Sequence, residues 1–269
     1  MSQTAKAELF RQLHQGPDVL VLPNAWDAAS AAVVADAGAK AIATSSAAVA
    51  WVHGQPDGDI LAVETTCAVV AAIAAVVDVP VSCDFEGGFT DDLDQLQRNV
   101  GQVIQAGAVG INFEDGGRDP QLHAAKIAAV RKAAGQAGVP LFINARADVY
   151  LRRLAEGEAA EAEAIARGKL YVSAGADGVF VPGAVDPELI RRLAAAIPAP
   201  LNILARPGAP DAAALAALGA RRLSAGSATF NAAYAALART AAAFLASGSS
   251  TELMAAAEGA PALQKRFST

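Results

Sequence analysis

The sequence is poor in cysteine, in aromatic residues and in clustered basic residues. Two of its 269 residues are cysteine, Cys67 and Cys83, and their spacing fits neither a disulfide framework nor a cysteine metal motif. Aromatic residues make up 5% of the chain, and the net charge is −6 without a block of Lys or Arg. We therefore expect no nucleic-acid partner.

Long apolar segments are also missing. The apolar runs are short and interrupted by charged residues, Gly or Pro, so we expect no membrane span. Residues 1–15 are polar and helix-like, without the apolar region of a signal peptide. These features predict a cytoplasmic protein in a reducing compartment. With 54% hydrophobic residues, a chain of this length can bury the core of an α/β barrel.

Short apolar strands alternate with helical segments along the chain. Phrases such as Ala37-Gly38-Ala39 and Ala106-Gly107-Ala108 close a helix and lead into a strand, because Gly suits the helix C-terminus. We predict eight strands, at 19–23, 41–44, 80–84, 110–114, 141–145, 178–181, 201–204 and 221–225. Eight strands that alternate with helices predict an α/β fold, a (β/α)8 TIM-type barrel. An open doubly wound sheet is disfavoured because no G-x-G-x-x-G follows the first strand.

The chain continues beyond the eighth predicted strand. An Ala-rich helix is predicted at about 228–245, and a further helical stretch begins near residue 251. We predict a single barrel domain over residues 1–269, with an extra C-terminal helical segment at about 228–269.

Two of the predicted strands end in closely spaced carboxylates. Asp84 and Glu86 lie at the end of the third strand, and Glu114 and Asp115 end the fourth. In such a barrel these ends share the catalytic face, and buried carboxylates need a cation or hydrogen bonds. Carboxylate oxygens suit Mg²⁺ or Mn²⁺, so we predict a metal site at Asp84, Glu86 and Glu114. The alternative is a set of helix caps and solvated loop acids, and Asp115 is either a ligand or a cap.

Substrate-binding groups are predicted at the same face. Arg146 follows the fifth strand, directly after Asn144-Ala145, and its guanidinium can clamp a carboxylate through two hydrogen bonds. The alternative for Arg146 is an ion pair with one of the acids. Ser45 and Ser46 follow the second strand and offer hydroxyl and N–H groups to an oxyanion, or they are packing residues.

Residues 47–59 form a long predicted loop after the second strand. Long loops in barrels often act as lids or carry catalytic groups. Asp57, in the sequence Gly54-Gln55-Pro56-Asp57, is our candidate catalytic acid. Its alternative is a structural aspartate in a tight turn.

Residues from about Val21 to Phe230 resemble the isocitrate lyase and phosphoenolpyruvate mutase superfamily, especially its short members. The resemblance is carried by Pro23-Asn24-Ala25-Trp26-Asp27, Thr44-Ser45-Ser46, Gly54-Gln55-Pro56-Asp57, Asp84-Phe85-Glu86-Gly87-Gly88, Asn112-Phe113-Glu114-Asp115 and Asn144-Ala145-Arg146.

The resemblance implies a barrel that binds Mg²⁺ mostly through water and a 2-oxo acid that reacts through an enolate stabilised by the metal. It also implies a homo-oligomer, a dimer or tetramer that exchanges its C-terminal helices. The implied metal ligands are Asp84, Glu86 and Glu114; the catalytic residues are Asp57, Arg146 and Glu114; the substrate-binding residues are Ser45, Ser46, Asp84, Asn144 and Arg146.

The chain departs from the family pattern in two places. Residues 116–121 contain no Cys, where isocitrate and methylisocitrate lyases carry a Lys-Lys/Arg-Cys-Gly-His motif, and Pro182-Gly183 stands where the mutases place a His. We expect a Mg²⁺-dependent lyase that cleaves a C–C bond of a small 2-oxo or 2-hydroxy (di)carboxylic acid, for example by oxaloacetate decarboxylation or a methylisocitrate-lyase-like cleavage. Two alternatives stay open: P–C bond chemistry of the phosphonopyruvate hydrolase or mutase type, and 2-oxo acid binding without turnover.

Overall fold

The computed structural model describes residues 1–268 and shows one sheet of nine parallel strands. The strands are β1 (Leu20–Leu22), β2 (Asn24–Ala25), β3 (Ile42–Thr44), β4 (Val81–Asp84), β5 (Gly110–Glu114), β6 (Phe142–Arg146), β7 (Gly178–Phe180), β8 (Leu201–Leu204) and β9 (Arg222–Ser224). Their order in the sheet is β1-β9-β8-β7-β6-β5-β4-β3-β2.

Pro23 divides the first barrel strand into β1 and β2. Proline has no N–H for the strand ladder, so the pairing changes there. β1 pairs with β9 and β2 pairs with β3, which brings the two ends of the sheet together on one continuous segment. The sheet therefore closes as a barrel with eight strand positions, and the predicted fold is confirmed.

Helices alternate with the strands and surround the barrel. They are α1 (Gln3–Gln12), α2 (Ala28–Asp36), α3 (Ser46–Val52), α4 (Val63–Val76), α5 (Leu93–Gln105), α6 (Pro120–Ala137), α7 (Gly157–Ser173), α8 (Pro187–Ala196), α9 (Ala212–Ala217), α10 (Ala228–Ser247), α11 (Ser250–Ala256) and α12 (Leu263–Arg266). One expectation was wrong: part of the predicted loop 47–59 belongs to α3. The Ser45 hydroxyl accepts a hydrogen bond from the Ala48 N–H and caps this helix.

The first helix closes the N-terminal end of the barrel. Phe10 of α1 is fully buried and packs edge-to-face against Phe142, while His14 stacks on the same ring. Burial of a phenyl side chain contributes about 2–3 kcal/mol. Gly110 makes room for this plug, since a Cβ there would lie 2.6 Å from Cε1 of Phe10.

Alternate residues of each strand face the barrel interior and build it in layers. β5 and β6 pair in register, with Gly110 opposite Phe142, Asn112 opposite Asn144, and Glu114 opposite Arg146. The interior therefore changes from an apolar base, through a layer of amides, to charged groups at the carboxyl ends of the strands.

The C-terminal helices lie outside this ring. Phe230 near the start of α10 stacks on Tyr234 and packs against Trp26 of the barrel. Phe230 is the one residue of α10 that is buried among residues 1–268, so the helix projects from the barrel. Residue 269 of the predicted segment 228–269 lies outside the described residues. Within the described chain, we find no helix with both the length and the apolar character that a membrane crossing requires.

Candidate active site

A cavity of about 150 Å³ opens at the carboxyl ends of the strands, where the predicted site was expected. Its polar lining includes Ser45, Ser46, Asp57, Asp84, Asn112 and Arg146. The structure thus brings together the predicted catalytic loop acid, one predicted metal ligand and the predicted carboxylate clamp.

Asp84 is fixed by the strand next to its own. Its Oδ2 accepts a hydrogen bond from the Ser46 N–H at 2.9 Å, and its backbone N–H donates to Oγ1 of Thr44 at 2.8 Å. The first contact uses a free N–H at the start of α3, where a carboxylate is favoured. Asp84 keeps oxygen lone pairs that face the cavity and can serve a cation or a polar ligand.

Glu86 connects the acidic strand end to the loop that carries Asp57. Its carboxylate accepts hydrogen bonds from the N–H groups of Gly58 and Asp59, and it is 4% exposed. Asp59 in turn accepts from the N–H of Gly87 at 3.0 Å. The loop that bears Asp57 is therefore held over the end of β4.

Arg146 lies between two carboxylates. Its Nε and Nη2 donate to Asp148 at 2.6 and 2.9 Å, and its Nη1 lies 2.5 Å from Oε2 of Glu114. Burial raises the pKa of Glu114 to about 8, against the opposing effect of Arg146. The predicted ion pair therefore exists, yet two of the five guanidinium N–H groups remain for a ligand.

Asp115 lies behind the ion pair of Arg146 and Glu114 and holds the residues around it. It is fully buried and accepts hydrogen bonds from Tyr171 Oη at 2.6 Å, Arg167 Nη1 at 2.7 Å and the Asp148 N–H at 3.1 Å. Although burial opposes it, these donors hold the pKa of Asp115 below its usual value. Asp115 is therefore a positioning residue for Asp148 rather than a helix cap.

Asp57 reaches the cavity from its loop. Burial and the nearby Asp84 carboxylate raise the pKa of Asp57, while a hydrogen bond with the Ser46 side chain and the charge of Arg146 oppose the shift. A carboxyl group with a shifted pKa beside a ligand cavity is a candidate for proton transfer. The catalytic role of Asp57 stays a prediction.

The middle layer of the barrel forms the floor of the cavity. Asn144, predicted to bind substrate, instead donates from Nδ2 to Oδ1 of Asn112 at 2.8 Å, and Asn112 faces the cavity. Arg222, fully buried, donates from Nη2 to the same oxygen at 3.0 Å. Asn144 therefore affects the cavity by holding the side chain of Asn112 in place.

Sequence reasoning assigned no role to Asn112, Asp148 or Arg222. The period of two along a strand could have found Asn112, because it lies two residues before Glu114. No signal in the sequence pairs Asp148 with Arg146, and none distinguishes the buried Arg222 from Arg221 beside it at the start of a strand.

The donor set fits a hard cation. Burial raises the pKa of Glu86 to about 7; the N–H of Asp59 opposes the shift, and the neighbouring carboxylates add to it. Among residues 1–268, no three His, Cys, Asp or Glu side chains converge as a direct ligand set. Carboxylate oxygens such as those of Asp84, Glu86 and Glu114 can hold a Mg²⁺ ion that keeps much of its water, and their role as ligands stays a prediction.

Comparisons with known proteins identify the family of the chain. A family model described as phosphoenolpyruvate phosphomutase matches residues 10–245. An uncharacterized protein of Mycobacterium tuberculosis is 40% identical over 228 residues, which cover 83% of each chain. The oxaloacetate decarboxylase of Paraburkholderia xenovorans is 30% identical over 244 residues, which cover 88% of this chain and 81% of that relative.

Solved structures extend the likeness to the whole barrel. A Burkholderia cenocepacia protein, described provisionally as a lyase or mutase, gives a TM-score of 0.89 at 33% identity and covers 99% of this chain and 98% of its own. A phosphonopyruvate hydrolase in complex with oxalate and Mg²⁺ gives 0.85 at 24% identity, covering 98% of this chain and 95% of its own, which shows the fold alone. The resemblance read from the sequence motifs is confirmed. The chain belongs to the phosphoenolpyruvate phosphomutase family, within an enzyme superfamily whose members are named as lyases, decarboxylases and mutases.

Proposed function

We propose that this protein is a Mg²⁺-dependent lyase that cleaves a C–C bond of a small 2-oxo or 2-hydroxy acid. The observation that supports it most is the meeting of Asp57, Asp84 and Arg146 around one small cavity at the carboxyl face of the barrel. This set combines an acid with a raised pKa, an oxygen ligand and a carboxylate clamp.

Arg146 binds and orients the substrate carboxylate in this proposal. Asp148 fixes the guanidinium along its Nε–Nη2 edge, so little side-chain entropy is lost when a ligand carboxylate binds the remaining N–H groups. The Ser46 hydroxyl lies beside Asp57 and polarises or holds the reacting oxygen.

Asp57 moves the proton. When the C–C bond of a 2-oxo acid such as oxaloacetate breaks, the distal fragment leaves as CO2 or as a carbonyl compound. The electron pair of the bond is left on the carbon next to the 2-oxo group, and that carbon must be protonated. Asp57, whose carboxyl group lines the cavity, is the group that delivers this proton. Asp84, Glu86 and Glu114 would hold Mg²⁺ largely through water, and the bound ion would polarise the 2-oxo oxygen.

The test is a screen of 2-oxo acids, 2-hydroxy acids and phosphonopyruvate with and without Mg²⁺, following pyruvate and phosphate release. We expect Mg²⁺-dependent pyruvate release without phosphate, and Asp57→Asn should abolish turnover while oxalate still binds. Phosphate release from phosphonopyruvate would move the assignment to P–C bond chemistry. Tight binding of a 2-oxo acid without turnover would instead favour a binding protein.

We also propose that the active protein is a homo-oligomer joined through its C-terminal helices. Leu237 of α10 is 59% exposed, Leu245 is 86% exposed and Met254 of α11 is 63% exposed. An apolar helix surface of this extent is typical of a protein interface. Light scattering after gel filtration should show a dimer or tetramer, and Leu237→Glu should shift it towards the monomer.

Two further assignments stay predictions. One is that residues 1–269 form a single domain. The other is a cytoplasmic, reducing location, with which the free thiols of Cys67 and Cys83 agree.

A further inference from the structure

Arg206 lies just past the end of β8, at the mouth of the cavity. Leu204, the last residue of β8, lines the cavity. The Ala205 N–H donates to the Ser224 carbonyl at 2.8 Å, so the strand ladder continues beyond β8. Because alternate residues of a strand face the same side, Arg206 lies on the side of Leu204, farther from the base of the barrel. It therefore stands at the rim of the cavity.

A tight turn fixes the backbone of Arg206. Its carbonyl accepts a hydrogen bond from the Ala209 N–H at 3.0 Å, which closes a turn through Pro207 and Gly208. The φ of Gly208 is +88°, as the third position of a type II turn requires, and proline suits the second position. The side chain of Arg206 therefore starts from a defined point at the rim.

The guanidinium of Arg206 is exposed and unpaired. Within residues 1–268, its side chain makes neither a hydrogen bond nor an ion pair. By contrast, Arg146 inside the cavity already contacts Glu114 and Asp148. All N–H donors of Arg206 are thus available to an anionic group of a ligand.

A hydroxyl group lies on the same side of the cavity. Ser227 lines the cavity beyond β9, which is the neighbour of β8 in the sheet. Its side chain makes no cap hydrogen bond at the start of α10. Arg206 and Ser227 therefore supply donors from two adjacent strand ends, which suits a carboxylate with its two acceptor oxygens.

This side lies opposite the acidic side. The barrel has eight strand positions, and β4, which ends in Asp84, is four positions from β8. A cavity of about 150 Å³ accommodates a ligand of roughly the size of benzene, which is close to that of pyruvate. A longer acid whose 2-oxo end lies at the acidic side therefore extends its far end towards Arg206.

A contact with Arg206 distinguishes two kinds of leaving fragment. A carboxylate that leaves as CO2 loses its charge, so a guanidinium that binds it stabilises the substrate more than the transition state and slows the reaction. A carboxylate that stays on the leaving fragment keeps the contact throughout. Arg206 therefore favours a fragment that leaves as a carbonyl compound with its own carboxylate, and such a fragment needs a hydroxyl group on the carbon beyond the broken bond.

We infer that Arg206 binds the distal carboxylate of a 4-hydroxy-2-oxo diacid, which is cleaved between C3 and C4 into two 2-oxo acids. This inference rests on the proposed function and specifies its substrate class. Asp57 removes the proton of the C4 hydroxyl, the C3–C4 bond breaks, and C4 becomes the carbonyl carbon of the leaving acid. The electron pair of the bond goes to C3, and Asp57 delivers the same proton there. The step needs no oxidant, reductant or water.

The test compares 2-oxoglutarate with 5-methyl-2-oxohexanoate by calorimetry in the presence of Mg²⁺. 2-Oxoglutarate has both carboxylates but no C4 hydroxyl, so it binds without cleavage, and the second acid carries an isopropyl group in place of the distal carboxylate. Arg206→Gln should weaken 2-oxoglutarate binding by about 5- to 10-fold, as the loss of a partly exposed charged contact predicts. Binding of 5-methyl-2-oxohexanoate and of oxalate should stay unchanged.

Two further variants and a turnover assay sharpen the comparison. Arg206→Lys keeps the charge and should retain part of the affinity for 2-oxoglutarate. Arg98→Gln removes a positive charge from the outer surface of α5 and should change none of the three affinities. Cleavage of 4-hydroxy-4-methyl-2-oxoglutarate should release pyruvate without CO2. Arg206→Gln should raise its KM and leave kcat nearly unchanged, because the contact is the same in substrate and transition state.

The outcomes separate this inference from the proposed function. Oxalate binding with an unchanged affinity of Arg206→Gln for 2-oxoglutarate would overturn the role of Arg206 and leave the lyase proposal standing. CO2 release from oxaloacetate, with 4-hydroxy-4-methyl-2-oxoglutarate left intact, would overturn the substrate class alone. Failure of oxalate and of every acid to bind would overturn both.

Discussion

The side chains of Arg222 and Asn112 meet inside the barrel, where Nη2 of Arg222 donates to Oδ1 of Asn112 at 3.0 Å. Nε and Nη1 of the same guanidinium have no hydrogen-bond partner among the described residues. On its other side the guanidinium faces the ring of Phe10 at 5.9 Å from the ring centre. Burial lowers the pKa of Arg222 to about 9. A fully buried cation therefore connects the plug at the base of the barrel with the floor of the cavity.

Replacing Arg222 by Met should separate stability from binding. Removing an incompletely paired buried charge is expected to leave the free energy of unfolding unchanged or to raise it by about 1 kcal/mol. The variant also removes the hydrogen bond that Arg222 donates to Oδ1 of Asn112, a residue that lines the cavity. Oxalate binding should therefore weaken by about 3- to 10-fold, as the loss of one hydrogen bond predicts. Urea unfolding and calorimetry measure the two effects, with Arg221→Met as the control. Destabilisation by several kcal/mol would show that Arg222 stabilises the fold instead.

A second prediction follows from the close approach of Phe10 to Gly110. A Cβ on Gly110 would lie 2.6 Å from Cε1 of Phe10 and 3.3 Å from the Phe142 carbonyl oxygen, so Gly110→Ala must displace α1. We expect it to lower the free energy of unfolding by about 2–3 kcal/mol through overpacking.

Gly101 provides the matched control for Gly110. It lies within α5, and an added Cβ meets nothing within 4 Å, so Gly101→Ala should stabilise the protein by about 0.5–1 kcal/mol. Chemical denaturation of both variants measures the difference. Equal effects of the two substitutions would mean that α1 shifts without lowering the free energy of unfolding.

The barrel itself could be predicted from the sequence because its signals are local. An apolar run, a Gly at the preceding helix end and a polar residue at the strand tip recur at many of the strand positions, and they are independent of what lies across the molecule. The same regularity placed Asp84 and Glu114 at one face. The prediction failed at residues 46–52, which were assigned to a loop. These residues form α3, and the Ser45 hydroxyl caps that helix.

The residues that support the site could not be predicted because their partners are distant in sequence. Asp115 binds Tyr171, which is 56 residues further along the chain, and Arg222 binds Asn112, which is 110 residues before it. Asn144 was predicted near the end of a strand, but it lies in the middle of β6, and the register of β5 and β6 turns its amide towards Asn112. Such pairings depend on the registers of neighbouring strands, which local sequence does not specify.

Asp84 should control the affinity for divalent cations. Asp84→Asn keeps the shape of the side chain and its acceptor for the Ser46 N–H, but removes the charge. We expect Mn²⁺ affinity to fall by about 10-fold or more, as the loss of one charged ligand among hard oxygen donors predicts. Titration of free Mn²⁺ by electron paramagnetic resonance measures it, and Asp94→Asn, on the exposed surface of α5, is the control. Unchanged affinity in Asp84→Asn would exclude this carboxylate as a ligand.

Mg²⁺ should also stabilise the fold. An ion that binds the folded state alone raises the free energy of unfolding by about 2.7 kcal/mol at 100 times its dissociation constant. The melting temperature of the wild type should therefore rise with Mg²⁺ and return to its starting value with EDTA, while that of Asp84→Asn should respond much less. Differential scanning calorimetry checks both.

His14 should make the protein less stable as the pH falls. Burial, with smaller effects from Arg222 and Arg11 and an opposing hydrogen bond to the Phe10 carbonyl, lowers the pKa of His14 from 6.5 to about 3. Between these values the unfolded chain binds a proton that the folded protein does not bind, so stability is lost as the pH falls through this window. His123 acts in the same direction, because burial lowers its pKa to about 4.

A pair of variants separates the charge of His14 from its packing. His14→Leu removes the titrating group, so between pH 7 and about pH 4.5 the wild type should lose about 2 kcal/mol more than this variant. Phe142→Leu removes the ring on which His14 stacks and no titrating group, so it should lower stability by a similar amount at both pH values. Urea unfolding across this range measures the slopes. Parallel slopes for the wild type and His14→Leu would mean that His14 has the same pKa in the folded and unfolded states, since only then would its removal leave the proton balance of unfolding unchanged.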